Sequence, residues 1–164
     1  MSDTTVPAPL VKVSPTTPTP EGAHFGFRFA VWENLVVTGA WPESGFVGAA
    51  YIFDSDDWSQ VARLEAPIEG GYFGTGVGIW EDIVVVGRVE LNFWRNPGNG
   101  SAVVFKRGAN GYDQIAVLRA SDGVPAALFG TDVGVYQNLA AVGAPMDTNE
   151  DGEVSGAVYL YRDW

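Results

Sequence analysis

The chain repeats itself three times, and that self-similarity limits the fold more than any other feature. Phe25-Gly26 is followed 48 residues later by Phe73-Gly74, and a further 56 residues on by Phe129-Gly130. Each pair leads at a fixed distance into alternating apolar residues: Phe29 and Val31, Val77 and Ile79, Val133 and Val135. An aromatic and a polar pair come next, as Trp32-Glu33-Asn34, Trp80-Glu81-Asp82 and Tyr136-Gln137-Asn138. A second apolar run then ends in glycine: Leu35 to Gly39, Ile83 to Gly87, Leu139 to Gly143. After a variable loop a third run opens on glycine: Gly48 to Phe53, Gly100 to Phe105, Gly156 to Tyr161. In the first two copies a fourth run opens on an aromatic and ends on leucine, Trp58 to Leu64 and Tyr112 to Leu118.

Short runs with period two, or continuously apolar, bounded by Gly, Asp, Asn or Pro are the signature of strands, and no helical period is present. Two polar residues between the first and second runs fit a tight hairpin turn. Each repeat therefore reads as a four-stranded antiparallel meander of about 50 residues. Radial repetition of such sheets is the β-propeller arrangement, which usually has about four to eight blades. A β-solenoid is the alternative, but its repeats are shorter. The chain divides into an N-terminal strand with a Pro/Thr-rich linker (1–23) and three blade repeats (24–71, 72–127 and 128–164). The third repeat stops where its fourth strand should begin.

These residues resemble the FG-GAP repeat family, of which integrin α-subunit propellers are members. The marks are Phe-Gly, Val at a fixed distance, Val142-Gly143-Ala144-Pro145, and the Gly-x-x-Tyr-x-Tyr/Phe strand. The resemblance covers residues 24–164 and is nearest to the short-hairpin repeats of microbial surface proteins. It implies an all-β propeller, a non-catalytic binding or structural role, and an extracellular or cell-surface location. No apolar leader follows the polar start Met1-Ser2-Asp3-Thr4-Thr5, so the compartment is not read from the sequence. Integrin-type repeats hold calcium in an Asp-rich loop between the first two strands. Here that connection is only two residues long, too short to wrap an ion, so those sites do not carry over.

A different loop does offer oxygen ligands. Asp147, Asn149, Asp151 and Ser155 stand at relative positions 1, 3, 5 and 9, with Gly152 at position 6. That spacing resembles the start of an EF-hand loop and makes Ca²⁺ a candidate cofactor, although Val158 stands where the closing Glu belongs. The competing reading is a solvated acidic turn held by Asx-type bonds. For a ligand, the loop aromatics Trp41, Phe93 and Trp94, with Arg95 beside them, suit sugar stacking or a protein hot spot. Trp32, Trp80 and Tyr136 recur by repeat and read as packing residues. The single histidine, His24, matches Tyr72 and Leu128 and reads as an interior packing residue. No nucleophile elbow, P-loop or histidine-rich metal set is visible, so the chain is expected not to be an enzyme.

Charge narrows the partners. Nine Lys and Arg face twenty Asp and Glu, a net charge of −11, which repels phosphate backbones and anionic lipid. The apolar runs are of four or five residues, too short for a membrane-spanning helix. With no cysteine there is no disulfide framework. The expected partner is a second copy. Leu10-Val11-Lys12-Val13 matches Val61-Ala62-Arg63-Leu64, so the N-terminal strand reads as the outer strand of a third-repeat blade. Two copies, each lending that strand to the other, would close a six-bladed ring as a homodimer. Recognition of a protein or glycan through the loop face is the expected function, and a lectin with sites on or between blades is the alternative. The variable loops differ between copies, which disfavours identical sugar sites on them.

Overall fold

The computed structural model describes residues 11–16, 22–41, 47–66, 71–90, 98–123 and 125–164. These residues form eleven strands and no helix, in three antiparallel sheets. Sheet one is β1 (His24–Trp32), β2 (Leu35–Trp41), β3 (Ala49–Asp54) and β4 (Gln60–Leu64). Sheet two is β5 (Tyr72–Trp80), β6 (Ile83–Val89), β7 (Ser101–Gly108) and β8 (Gly111–Leu118). Sheet three is β9 (Val133–Tyr136), β10 (Leu139–Ala144) and β11 (Ala157–Arg162). Strands follow one another in sequence order within every sheet. The all-β class and the strand count of each repeat are those the sequence predicts.

The two-residue turns fall where the polar pairs stand. Trp32 pairs with Leu35, Trp80 with Ile83 and Tyr136 with Leu139. The fourth run of the first repeat begins later than expected. Trp58 lies outside β4 with a left-handed φ of 62°, and the strand starts at Gln60. Residues 11–15 form no strand within the single chain.

The sheets stack face to face, and alternate residues of sheet two serve opposite neighbours, as strand geometry requires. Val84, Val86, Val103 and Phe105 pack with Val37, Ala50, Ile52 and Leu64 of sheet one. Val85, Ala102, Val104 and Leu118 pack with Val133, Ala140 and Val142 of sheet three and with Phe129 just before it. Burying one aliphatic side chain of this size stabilises by about 1.5–3 kcal/mol, so these two layers carry the fold.

The Phe-Gly pairs fix how closely neighbouring sheets approach. Phe73 and Phe129 are fully buried. A Cβ on Gly39 would collide with the carbonyl oxygen of Gly74, and one on Gly48 with that of Phe73. The next junction repeats the device: Gly87 faces the Gly130 carbonyl and Gly100 the Phe129 carbonyl. Gly74 and Gly130 adopt φ of +90° and +93°, a region that favours glycine.

Candidate functional site

The two-residue turns gather at one end of the stack and build the same pocket twice. A cavity of about 380 Å³ between sheets one and two is lined by Trp32, Glu33, Asn34, Glu81, Asp82 and Arg107. A cavity of about 270 Å³ between sheets two and three is lined by the equivalent Trp80, Glu81, Asp82, Gln137 and Asn138, with Lys106 and Trp164. The second turn residue is anchored. Asn34 donates from Nδ2 to Asp54 at 3.0 Å, Asn138 does so to Asp163 at 2.8 Å, and Asp82 pairs with Lys106 at 3.5 Å. The first turn residue is strained: Glu33, Glu81 and Gln137 have φ of 50°, 51° and 54°. An L-residue there costs about 1–2 kcal/mol. Three times the sequence places an acid or amide where glycine would relieve that strain.

An aromatic ladder runs beside these pockets. Trp32 and Trp80 lie 3.8 Å apart between ring centroids, and Trp80 and Tyr136 4.3 Å. The three rings therefore pack on one another, as their recurrence predicts. They also present aromatic edges to each cavity, combined with carboxylates and amides.

At the opposite end, where the variable loops emerge, Trp41 is half-buried among His24, Phe27 and Tyr72. Its indole N–H is buried with no hydrogen-bond partner. His24 is exposed and meets Trp41 edge-on at 5.8 Å, so the interior position expected for it is corrected. The reason is that no preceding sheet covers the start of β1. Phe93, Trp94 and Arg95 lie outside the described residues.

In the acidic loop Asp147 is buried, not solvated. Tyr159 donates its phenolic proton between two carboxylates, with Asp147 Oδ2 at 2.5 Å and Asp122 oxygens at 2.7 Å. Burial, then these hydrogen bonds, push the Tyr159 phenol above its ordinary range. Burial and the charge of Asp122 raise Tyr161 to about 12. Asn149 Oδ1 accepts from the amides of Asp151 (3.1 Å) and Glu153 (2.9 Å), an Asx arrangement. Among the described residues no three His, Cys, Asp or Glu side chains stand at metal-holding spacing.

Residues 112–161, from within β8 into β11, match the family model described as the FG-GAP repeat. That segment, under a third of the chain, is similar to an FG-GAP repeat. The matched segment includes Phe129-Gly130, Val142-Gly143-Ala144-Pro145 and Gly156 through Tyr161, the residues on which the resemblance rests. No curated protein matches the chain. An FG-GAP repeat points to a β-propeller-type binding module.

The turn-end pockets are what the sequence reading missed. Glu33 and Glu81 look like ordinary turn residues. The signal that could have found them is the recurrence of Glu, Glu and Gln at a position where glycine is the easier choice.

Proposed function

We propose that the three sheets are blades of a β-propeller, that the chain supplies half of a ring closed by a second copy, and that the ring is a non-catalytic binding module. The observation supporting the ring is that both ends of the stack expose apolar residues whose internal equivalents are buried. Phe29 at one end is 72% exposed and Leu160 at the other 67%, whereas Val77 and Ile52, their equivalents inside, are buried. Light scattering at micromolar concentration tests it. A mass of twice 17.5 kDa is expected, and a monomer removes the ring.

The ligand is a protein or a glycan. The loop end offers the half-buried ring of Trp41, with Phe93, Trp94 and Arg95 assigned to the same surface by sequence. A specific observation favours the glycan reading at the other end: the pocket between consecutive turns is built twice from equivalent residues. Repeated sites suit a lectin, with Trp edges against sugar C–H faces and carboxylates accepting from hydroxyls. A glycan array followed by calorimetry separates the two. Binding of one oligosaccharide class, weakened at least tenfold by Glu81→Ala, supports the lectin. Absence of any glycan signal leaves the protein-binding reading.

Calcium remains a proposal for Asp147, Asn149, Asp151 and Ser155. Binding would require Asp147 to release Tyr159 and Asn149 to release two amides. A calcium-dependent rise in Tm that Asp151→Ala abolishes supports the site. An unchanged Tm leaves the loop a turn.

A further inference from the structure

We propose that the open end of sheet three is a socket built to receive the Phe25-Gly26 segment of a second copy of this chain. The proposal deepens the ring reading above by assigning the residues of its junction, and it rests on that reading.

The rule of the junction is shown twice inside the chain. A Phe-Gly pair enters against two glycines of the preceding sheet, one late in its second strand and one just before its third. Phe73-Gly74 meets Gly39 and Gly48, and Phe129-Gly130 meets Gly87 and Gly100. The third such pair is Gly143 and Gly156. Together with Thr131, Asp132, Ala144 and Val158 they line an open groove of about 550 Å³. Among the described residues nothing explains why Gly143 is glycine. Its φ lies outside the left-handed region, and a Cβ there would come no nearer than 3.6 Å to another atom. Gly134 is the same: a Cβ would meet nothing within 4 Å, whereas one on its equivalent, Gly78, would lie 3.3 Å from Val135 of the next sheet. Both glycines are accounted for if another Phe-Gly strand lies against them.

The matching plug stands at the other end of the same chain. Gly26 has φ +88°, close to the values of the two docked pairs, and a Cβ on it would touch nothing. The segment therefore already holds the docked conformation. The faces around plug and socket agree in kind. Phe29 and Val31 are exposed where Val77 and Ile79 are buried, and Val158 and Leu160 are exposed where Ala102 and Val104 are buried. The aromatic ladder ends on an exposed Tyr136 at the socket side and begins at Trp32 on the plug side, so docking would continue it.

The N-terminal residues fit the same junction. Val13 packs, together with Phe25, against Tyr51 and Phe53 of sheet one. Leu64 occupies the corresponding cluster with Phe73, Val103 and Phe105, and Leu118 the cluster with Phe129. Leu64 and Leu118 end the outer strands of the preceding sheets. Val13 thus stands on sheet one where the outer strand of a preceding blade would stand, which is the place of the second copy's sheet three. Two such junctions, related by a two-fold axis, close six blades and leave no open face.

Light scattering and sedimentation on the full chain and three variants test the socket. Gly143→Val adds side-chain bulk to the groove, where the single chain leaves room for a Cβ, and Leu160→Asp charges a residue exposed in the single chain. Both are expected to retain the β-sheet circular dichroism of wild type and to fall from twice to once 17.5 kDa. Val61→Asp, on β4 and away from either open face, is expected to keep the larger mass. A wild-type dimer that neither Gly143→Val nor Leu160→Asp dissociates overturns the socket while the ring stands. Dissociation by Val61→Asp as well overturns it too, because the loss is then not specific to the groove. A wild-type monomer removes the ring and the socket with it.

Discussion

Glu81 lines both turn-end pockets while holding a left-handed backbone. Strain kept at a polar residue is a mark of a site, because selection for stability alone would replace it. Relief of an αL residue is worth about 1–2 kcal/mol. The larger freedom of glycine in the unfolded chain offsets about 0.4–1 kcal/mol of that. Glu81→Gly should therefore raise stability by up to about 1.5 kcal/mol, seen as a higher urea midpoint at unchanged m, and should weaken glycan binding. A drop in midpoint would mean that the side chain supports the fold and is not retained for a ligand. Tyr159 carries a second residue-level expectation. Its folded pKa is raised, as is that of Tyr161, so both contribute stability that is fully present below the ordinary tyrosine value near 10 and is lost as pH rises through the folded value. The urea midpoint should fall from pH 10 upward, and Tyr159→Phe should make that fall shallower. Asp147 shows where single residues escape a sequence reading. Six polar or acidic neighbours mark its loop as solvated, yet the partner that buries it, Tyr159, is twelve positions away on a strand.

At the scale of elements the sequence was most legible. Runs bounded by glycine and polar pairs located ten of the eleven strands to within a residue or two, because each turn needs residue types that strands avoid. What it did not give was which copy of an element is covered. Ile52 and Leu160 hold the same place in their repeats, but Ile52 is fully buried between sheets and Leu160 is open. His24 was misplaced for the same reason: repeat equivalence predicts interior packing only where a preceding sheet exists. The contrast is measurable. Ile52→Ala should cost about 2–4 kcal/mol, the usual range for truncating a buried aliphatic residue. Leu160→Ala, measured in the Gly143→Val background so that no junction forms, should stay within about 0.5 kcal/mol. Equal costs at the two positions would mean that the back of sheet three is covered by something within the single chain.

On the scale of the whole molecule, the stack has two unlike ends, and residues 11–16 lie against the first of them. Val13, together with Phe25, shields Tyr51 and Phe53, and Thr16 bonds to Gln60 Oε1 at 3.1 Å from both its amide and its hydroxyl. At the far end, among the described residues, β11 pairs with β10 alone, which leaves its other edge able to hydrogen-bond another chain. In the ring these two features complete one another: residues 10–13 of one copy would lie beside β11 of the other. Deleting residues 1–13 should then act at both ends at once. It removes the cover from the aromatic face of sheet one, and it leaves the β11 edge unpaired. The expected result is a lower mass by light scattering, increased binding of an apolar dye, and aggregation that grows with concentration. Adding a synthetic peptide of residues 1–16 should restore the larger mass in proportion to its occupancy. A truncated chain that keeps twice its own monomer mass, with no added dye binding, would show that the dimer closes through the sheet faces alone and that the N-terminal segment is not part of the junction.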